Sequence, residues 1–237
     1  MKREKFRPID IDNFTPTELR MPVIRTCLHD TVGRLIESEG YKFNKSKYSY
    51  KKKQGKNNKL IKFLFYDYYP LNYSFDFLTY VFNEDIEKIK LALGPQRHTE
   101  TFNWFSLFIR TNDFTNHINA DNLYETGYNY TVVKLDDLMD VVNAICKTFK
   151  EEVLTLLDTL TTIEDIDAFF TKKGVNWAVN GDFLNNISTD LIVAKLNGKR
   201  DHQKVFEDIV CTIKNRPKPN LQTLKVIENL YENLRYI

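Results

Sequence analysis

The sequence predicts an α+β protein, in which an antiparallel sheet with a covering long helix is followed by a C-terminal, all-helical segment. Three observations support this class. Aromatic-rich segments joined by short polar turns precede residue 135, which favours antiparallel pairing over parallel crossovers. Apolar residues recur at helical spacing from there to the end. With 42% hydrophobic residues, the 237-residue chain can bury a core.

The order of elements predicts three parts. Residues 1–21 form an N-terminal arm, residues 22–160 an α+β domain, and residues 161–237 a helical subdomain. Strands that precede helices in separate runs are typical of α+β folds.

The first helix is expected from Pro22 to Glu39. Proline suits the first helical position because its missing N–H would have no partner there. Apolar residues follow at steps of three and four, and Gly40 provides the stop. The strands that follow are predicted at 41–53, 60–69, 72–82, 104–110 and 131–135, with a short helix at 84–93.

The remaining elements are helices. The longest is predicted at 135–160, where apolar residues step by three and four. Thr161 and Glu164 form the pattern of a capping box for the next helix, which ends near Gly174. Three more helices are predicted: one capped by Asn186 or Ser188, one capped by Asp201, and one from Leu221 to Leu234.

The three cysteines, Cys27, Cys146 and Cys211, are scattered and form no CxxC pair. We expect all three to be reduced and buried among apolar residues. The basic N-terminus is not followed by an apolar segment, and no apolar run is long enough to cross a bilayer. These features predict a cytoplasmic protein without membrane contact.

Charge is distributed unevenly along the chain. The net charge of +2 excludes a nucleic-acid binder that relies on bulk charge. However, residues 40–66 carry nine lysines and no acid, whereas residues 111–167 carry twelve acids and three lysines. The predicted hairpin tip concentrates part of the basic charge in Lys51, Lys52, Lys53 and Lys56. Three interpretations stay open: a solvated turn, a patch for an acidic protein partner, or a nucleic-acid site, which the acids downstream oppose.

A tyrosine-rich turn follows the second of the long strands. It places Tyr66, Tyr68, Tyr69 and Tyr73 around Pro70. Tyrosine is enriched at binding hot spots, so a recognition surface is one interpretation. The other is a set of amphipathic rings that cap the sheet edge.

Catalytic motifs are largely absent. The sequence contains no GxGxxG, GxxxxGK[ST] or GxSxG. His98 and Glu100 have the HxE form of zinc deaminases, but no PCxxC follows to complete the metal shell. No cofactor or metal is predicted, and the polar cluster Arg97, His98 and Glu100 is the first place to look for a hidden catalytic site.

One resemblance bears on function. The stretch from Leu35 to Phe43, with its Gly40-Tyr41-Lys42 step, and the following Tyr48-Ser49-Tyr50-Lys51-Lys52 resemble the opening of the DUF4304 family of uncharacterised bacterial proteins. The resemblance covers about residues 25–160. It implies an α+β fold, no known activity, and an immunity or accessory role in a bacterial toxin system.

The leading hypothesis from the sequence is therefore a non-enzymatic module that binds another protein. Two alternatives stay open. One is an enzyme of unfamiliar type with its site near Arg97, His98 and Glu100, and the other is a nucleic-acid accessory factor that uses the lysine-rich hairpin. The oligomeric state is not predicted.

Overall fold

The computed structural model describes residues 19–68, 72–93, 106–110, 114, 130–180 and 184–237. The chain folds into two compact units. Unit 1 comprises Met1–Lys52, Leu60–Thr79 and Ile109–Asp158, and unit 2 comprises Lys53–Lys59, Tyr80–Phe108 and Thr159–Ile237. The predicted α+β class with an antiparallel sheet and a helical C-terminal segment is confirmed.

The opening helix contains a π-helical turn that the sequence pattern does not show. It consists of α1 (Met21–Leu28), the π turn His29–Gly33 and α2 (Arg34–Ser38). The turn lies where His29 and Gly33 pack against a neighbouring strand. Gly40 follows with φ of 83°, the left-handed conformation predicted for it.

The sheet has the strand order β1-β2-β3-β4-β5, and β6 also pairs with β4. Its strands are β1 (Lys42–Asn44), β2 (Ser49–Gln54), β3 (Asn57–Tyr68), β4 (Asn72–Asn83), β5 (Leu107–Arg110) and β6 (Tyr130–Val132). Pairing is antiparallel for β1 with β2 and for β4 with β6. In the described part of the chain, no strand follows Val132.

The predicted strand 41–53 is in fact two strands joined by a turn. Tyr48 has φ of 46°, and the Asn44 side chain accepts hydrogen bonds from Ser46 and from the backbone of Lys47. Asparagine and serine side chains that bond to nearby backbone stabilise turns. The chain therefore folds back after Asn44, although the alternation of side chains favoured one continuous strand.

A covering helix closes the core of unit 1, as predicted. It comprises α4 (Asp137–Thr148), the π turn Phe149–Val153 and α5 (Leu154–Thr159). The ring of Phe149 stacks on Phe63 of β3 at 5.9 Å and contacts Phe77 of β4 at 4.7 Å between centroids. The inner face of the sheet in unit 1 is thus built from aromatic side chains, which bury large areas each.

Unit 2 is mainly helical. Its helices are α3 (Glu84–Leu93), α6 (Ile163–Lys173), α7 (Val175–Asn180), α8 (Leu184–Asn197), α9 (His202–Lys214) and α10 (Leu221–Leu234). The helix α8 is central: residues 185–194 are all buried, and α3, α6, α7, α9 and α10 pack against it. Helix α7 was not predicted, because its six residues are too short for a periodic pattern.

Three further expectations about local structure need correction. Neither Asn186 nor Ser188 caps a helix, because both lie inside α8 (Leu184–Asn197) and are buried there. The capping box of α6 is formed by Thr162 and Asp165 rather than Thr161 and Glu164. The cysteines are free as expected, but only Cys27 is buried, whereas Cys146 is half-buried and Cys211 is exposed. The expectation of three buried thiols was therefore wrong. The cap Asp201 of α9 is confirmed.

Candidate functional site

The two faces of β3 differ in what covers them. Phe63 points to the aromatic core, where its ring meets Tyr50 of β2 and Phe149. Because side chains alternate along a strand, every second residue points the other way. On the side opposite Phe63, β3 presents two leucines, two tyrosines and one lysine, all half-exposed or exposed: Leu60, Lys62, Leu64, Tyr66 and Tyr68.

Two lysines of the β1–β2 hairpin belong to the same face. Phe43 and Tyr50 are cross-strand partners, and their rings meet 4.8 Å apart on the inner side. The neighbouring partners Lys42 and Lys51 therefore point outward, and both are exposed. We define the outer face as the seven residues Lys42, Lys51, Leu60, Lys62, Leu64, Tyr66 and Tyr68.

The tyrosines of the outer face lie parallel. The rings of Tyr66 and Tyr68 stack with centroids 6.3 Å apart and planes 13° from parallel. Tyr68 is 51% exposed. Partial burial, with the nearby carboxylate of Asp76, raises the pKa of Tyr66. The Tyr66 hydroxyl thus stays protonated near neutral pH and can donate a hydrogen bond to a bound molecule.

The four lysines predicted at the hairpin tip have different environments. Lys52 forms an ion pair with Asp158 at 3.0 Å and lies 5.4 Å from the centre of the Tyr41 ring. Lys56 forms an ion pair with Asp85 at 2.7 Å, and its hydrogen bond lowers the pKa of that carboxyl. Lys51 and Lys53 are exposed. Half of the predicted basic patch is therefore neutralised within the fold.

The other predicted site residues divide into two groups. Tyr73 is buried, with 8% of its surface exposed, because it shares the inner side of β4 with Phe75 and Phe77. It is therefore not part of the outer face. Tyr69, Arg97, His98 and Glu100 lie outside the described residues.

Four residues of the outer face were not among the predicted site residues: Lys42, Leu60, Lys62 and Leu64. A usable pattern was present, because Ile61, Phe63 and Phe65 alternate with these β3 residues at a period of two. Assigning the phenylalanines to the core would have placed Leu60, Lys62 and Leu64 on the opposite face.

A second cluster, in unit 2, is buried and charged. The Arg200 guanidinium binds Asp190 at 2.7 Å and also donates to Asp167, which accepts from Asn197 at 2.7 Å. Both carboxylates are almost fully buried. Burial, the largest cause, raises the pKa of Asp190 to about 6 despite the arginine. The cluster links α6, α8 and the segment before α9, and its burial is typical of a structural role.

A third cluster surrounds the first π turn. His29 Nδ1 lies 2.9 Å from the hydroxyl of the fully buried Tyr50, and the His29 ring stacks on Phe43 at 4.2 Å. Gly33 lies against both His29 and Tyr50, and an added Cβ would come within 2.8 Å of His29 Nδ1. This cluster attaches the opening helix to β2.

Among the described residues, no group of three metal-ligating side chains could hold an ion. The described helices include none that is long and apolar enough to cross a bilayer. Comparison with protein-family models, with curated proteins and with solved structures finds no match to this chain.

Proposed function

We propose that the chain is a non-enzymatic module that binds another protein through its outer face. The observation that carries this proposal is the row Leu60, Leu64, Tyr66 and Tyr68, whose apolar and aromatic side chains stay half-exposed or exposed. Apolar and aromatic side chains grouped on an accessible face are typical of interaction sites. Aromatic side chains, tyrosine above all, are also enriched at protein interfaces.

The chemistry of the buried clusters supports a binding role. The Arg200 cluster and the His29–Tyr50 pair fix helices to one another or to a strand. Their polar atoms are therefore used in holding the fold together. The aromatic side chains of the outer face, by contrast, lie outside the core, so core packing does not explain them.

The resemblance to DUF4304 extends this proposal to an immunity or accessory role in a bacterial toxin system. The place of action that we propose is the cytoplasm. The three free cysteines support it, because free thiols are typical of reducing compartments.

Affinity capture from the native host tests the proposal. Wild-type protein is compared with a Tyr66→Ala/Tyr68→Ala variant, and captured proteins are quantified. We expect one protein to be captured by the wild type and lost with the variant. Its affinity for the variant should be about thirtyfold lower, which is the cost typical of a truncated hot-spot residue. Truncation at the sheet surface should leave the fold intact, which circular dichroism checks.

The matched control is Tyr236→Ala, because Tyr236 is 88% exposed near the end of the chain. It should capture the same protein as the wild type. Capture that survives the loss of both outer-face tyrosines would contradict the proposal, as would turnover of a small molecule by the purified chain.

A further inference from the structure

Six of the nine lysines from Lys42 to Lys62 fall into two classes. Lys52 and Lys56 form ion pairs, and the fully buried Lys59 donates to Gln54 at 2.6 Å. The lysines of the outer face differ: across the residues that the structure describes, no carboxylate lies within ion-pair distance of Lys42, Lys51 or Lys62. The fold therefore pairs part of the basic segment internally, whereas these three lysines of the outer face, like the exposed Lys47 and Lys53, have no carboxylate partner among the described residues.

The arrangement of two of them is unfavourable for the isolated chain. Lys42 and Lys51 are direct cross-strand partners with side chains on one side of the sheet. Like charges directly opposite each other destabilise an antiparallel pair. A carboxylate placed between the two ammonium groups would remove this repulsion, so the pair favours an anionic ligand.

We infer that the occupant of the outer face is an acidic segment of a partner protein, whose carboxylates meet Lys42, Lys51 and Lys62 while an apolar side chain packs on Leu64 and Tyr66. This inference rests on the proposed function and adds the chemistry of the partner. The charges set the rate and specificity of association, and the apolar contact supplies much of the affinity.

A protein fits this face better than a nucleic acid does. Leu60 and Leu64 offer aliphatic surface, which packs against apolar side chains, whereas single strands are held by aromatic rings on which bases stack.

Selection from a displayed library of random peptides tests the inference with the full chain. Peptides are selected on wild-type protein and counter-selected on the Tyr66→Ala/Tyr68→Ala variant. We expect the enriched sequences to combine several Asp or Glu residues with an aromatic or aliphatic residue. Synthetic copies should bind about tenfold or more weakly to a Lys42→Gln/Lys51→Gln/Lys62→Gln variant, and wild-type affinity should fall as salt rises.

Two controls accompany the selection. A Lys204→Gln/Lys172→Gln variant removes two exposed lysines of unit 2 and should bind as the wild type does. Copies of the peptides with Gln in place of Asp and Glu should lose most of their affinity. A short oligothymidine serves as the nucleic-acid probe in the same assay.

The outcomes separate the two proposals. Enriched peptides that are neutral or basic, or that bind the lysine variant as well as wild type, would overturn the acidic partner and leave the binding function standing. Failure to enrich any peptide that distinguishes wild type from the tyrosine variant would overturn the binding function itself. Oligothymidine that binds more tightly than the best peptide, and depends on the same residues, would assign the face to nucleic acid.

Discussion

The side-chain amide of Asn186 forms two hydrogen bonds with the backbone of Phe108, accepting from its N–H at 2.9 Å and donating to its carbonyl at 2.8 Å. Phe108 lies in β5, the last strand in the order of the sheet. The asparagine therefore satisfies backbone groups that a further strand would otherwise satisfy. Both residues are buried, so no water can replace the amide.

Replacing Asn186 with alanine should destabilise the protein by about 3 kcal/mol, because the substitution leaves two buried backbone groups without partners. Urea denaturation measures the change. Asn233→Ala, at an exposed position of α10, is the matched control and should stay within about 0.5 kcal/mol of wild type. Equal midpoints for the two variants would show that the double hydrogen bond contributes nothing.

Gly33→Ala should cost about 2 kcal/mol, since the added methyl group overlaps Tyr50 Oη and lies within 2.8 Å of His29 Nδ1. The test is a double-mutant cycle with Tyr50→Phe, which removes the oxygen that approaches most closely. We expect Gly33→Ala to be clearly less costly in the Tyr50→Phe background. Additive effects of the two substitutions would rule out this steric explanation.

The buried Asp190 should make stability depend on pH in the acidic range. Its pKa is raised from 3.8 to about 6 in the folded protein, so the folded state holds the proton more tightly than the unfolded state. The free energy of unfolding should therefore fall as pH rises from about 4 to 6, by up to about 3 kcal/mol relative to Asp190→Asn.

Unfolding of both proteins across this pH range measures the contribution of Asp190 within the cluster that it forms with Arg200 and Asp167. Asp208→Asn, at an exposed position of α9, is the matched control and should change stability by no more than about 0.5 kcal/mol. If the difference in free energy of unfolding between wild type and Asp190→Asn does not change with pH, the raised pKa of Asp190 is refuted.

Lys90 should affect stability in the alkaline range, with the opposite trend. Its ammonium is buried, donates to the Asn185 carbonyl at 3.3 Å, and has a pKa lowered by burial from 10.5 to about 8. The cost of burying the charge is fully present below pH 8 and disappears as pH rises to 10.5. Lys90→Met should therefore be more stable than wild type at pH 7, by up to about 3 kcal/mol, and lose this advantage by pH 10.5.

The control for this prediction is Lys88→Met, because Lys88 is exposed on the same helix. It should change stability by no more than about 0.5 kcal/mol at either pH. A Lys90→Met variant that is less stable than wild type at pH 7 would mean that the ammonium contributes more through its partners than it costs in burial.

Local patterns in the sequence sufficed for much of the fold. Helix α9 follows from its Asp201 cap and apolar period, and α3 has the predicted limits. The same patterns failed where the deciding contact is distant in sequence. The amide of Asn186 bonds to a strand 78 residues away, and the Lys52–Asp158 pair joins residues 106 apart. No local pattern indicates such partners.

The candidate site shows the same division. Alternation along β3 is sufficient to assign Leu60, Lys62 and Leu64 to one face, once the phenylalanines are assigned to the core. The sequence could not show that Lys52 and Lys56 are neutralised while Lys51 is not, because their acids come from other segments. Tyr73 was assigned to the surface because of its nearness to a turn, whereas its position within β4 decides its burial.

The burial of α8 on all sides has a consequence for how unit 2 opens. A surface helix can fray while the rest of a domain stays folded, but residues 185–194 of α8 are all buried. Amide hydrogens in such a segment exchange with solvent only when the surrounding helices separate. Hydrogen exchange along α8 should therefore report the global opening of unit 2, and proteases should find no early cleavage site within it.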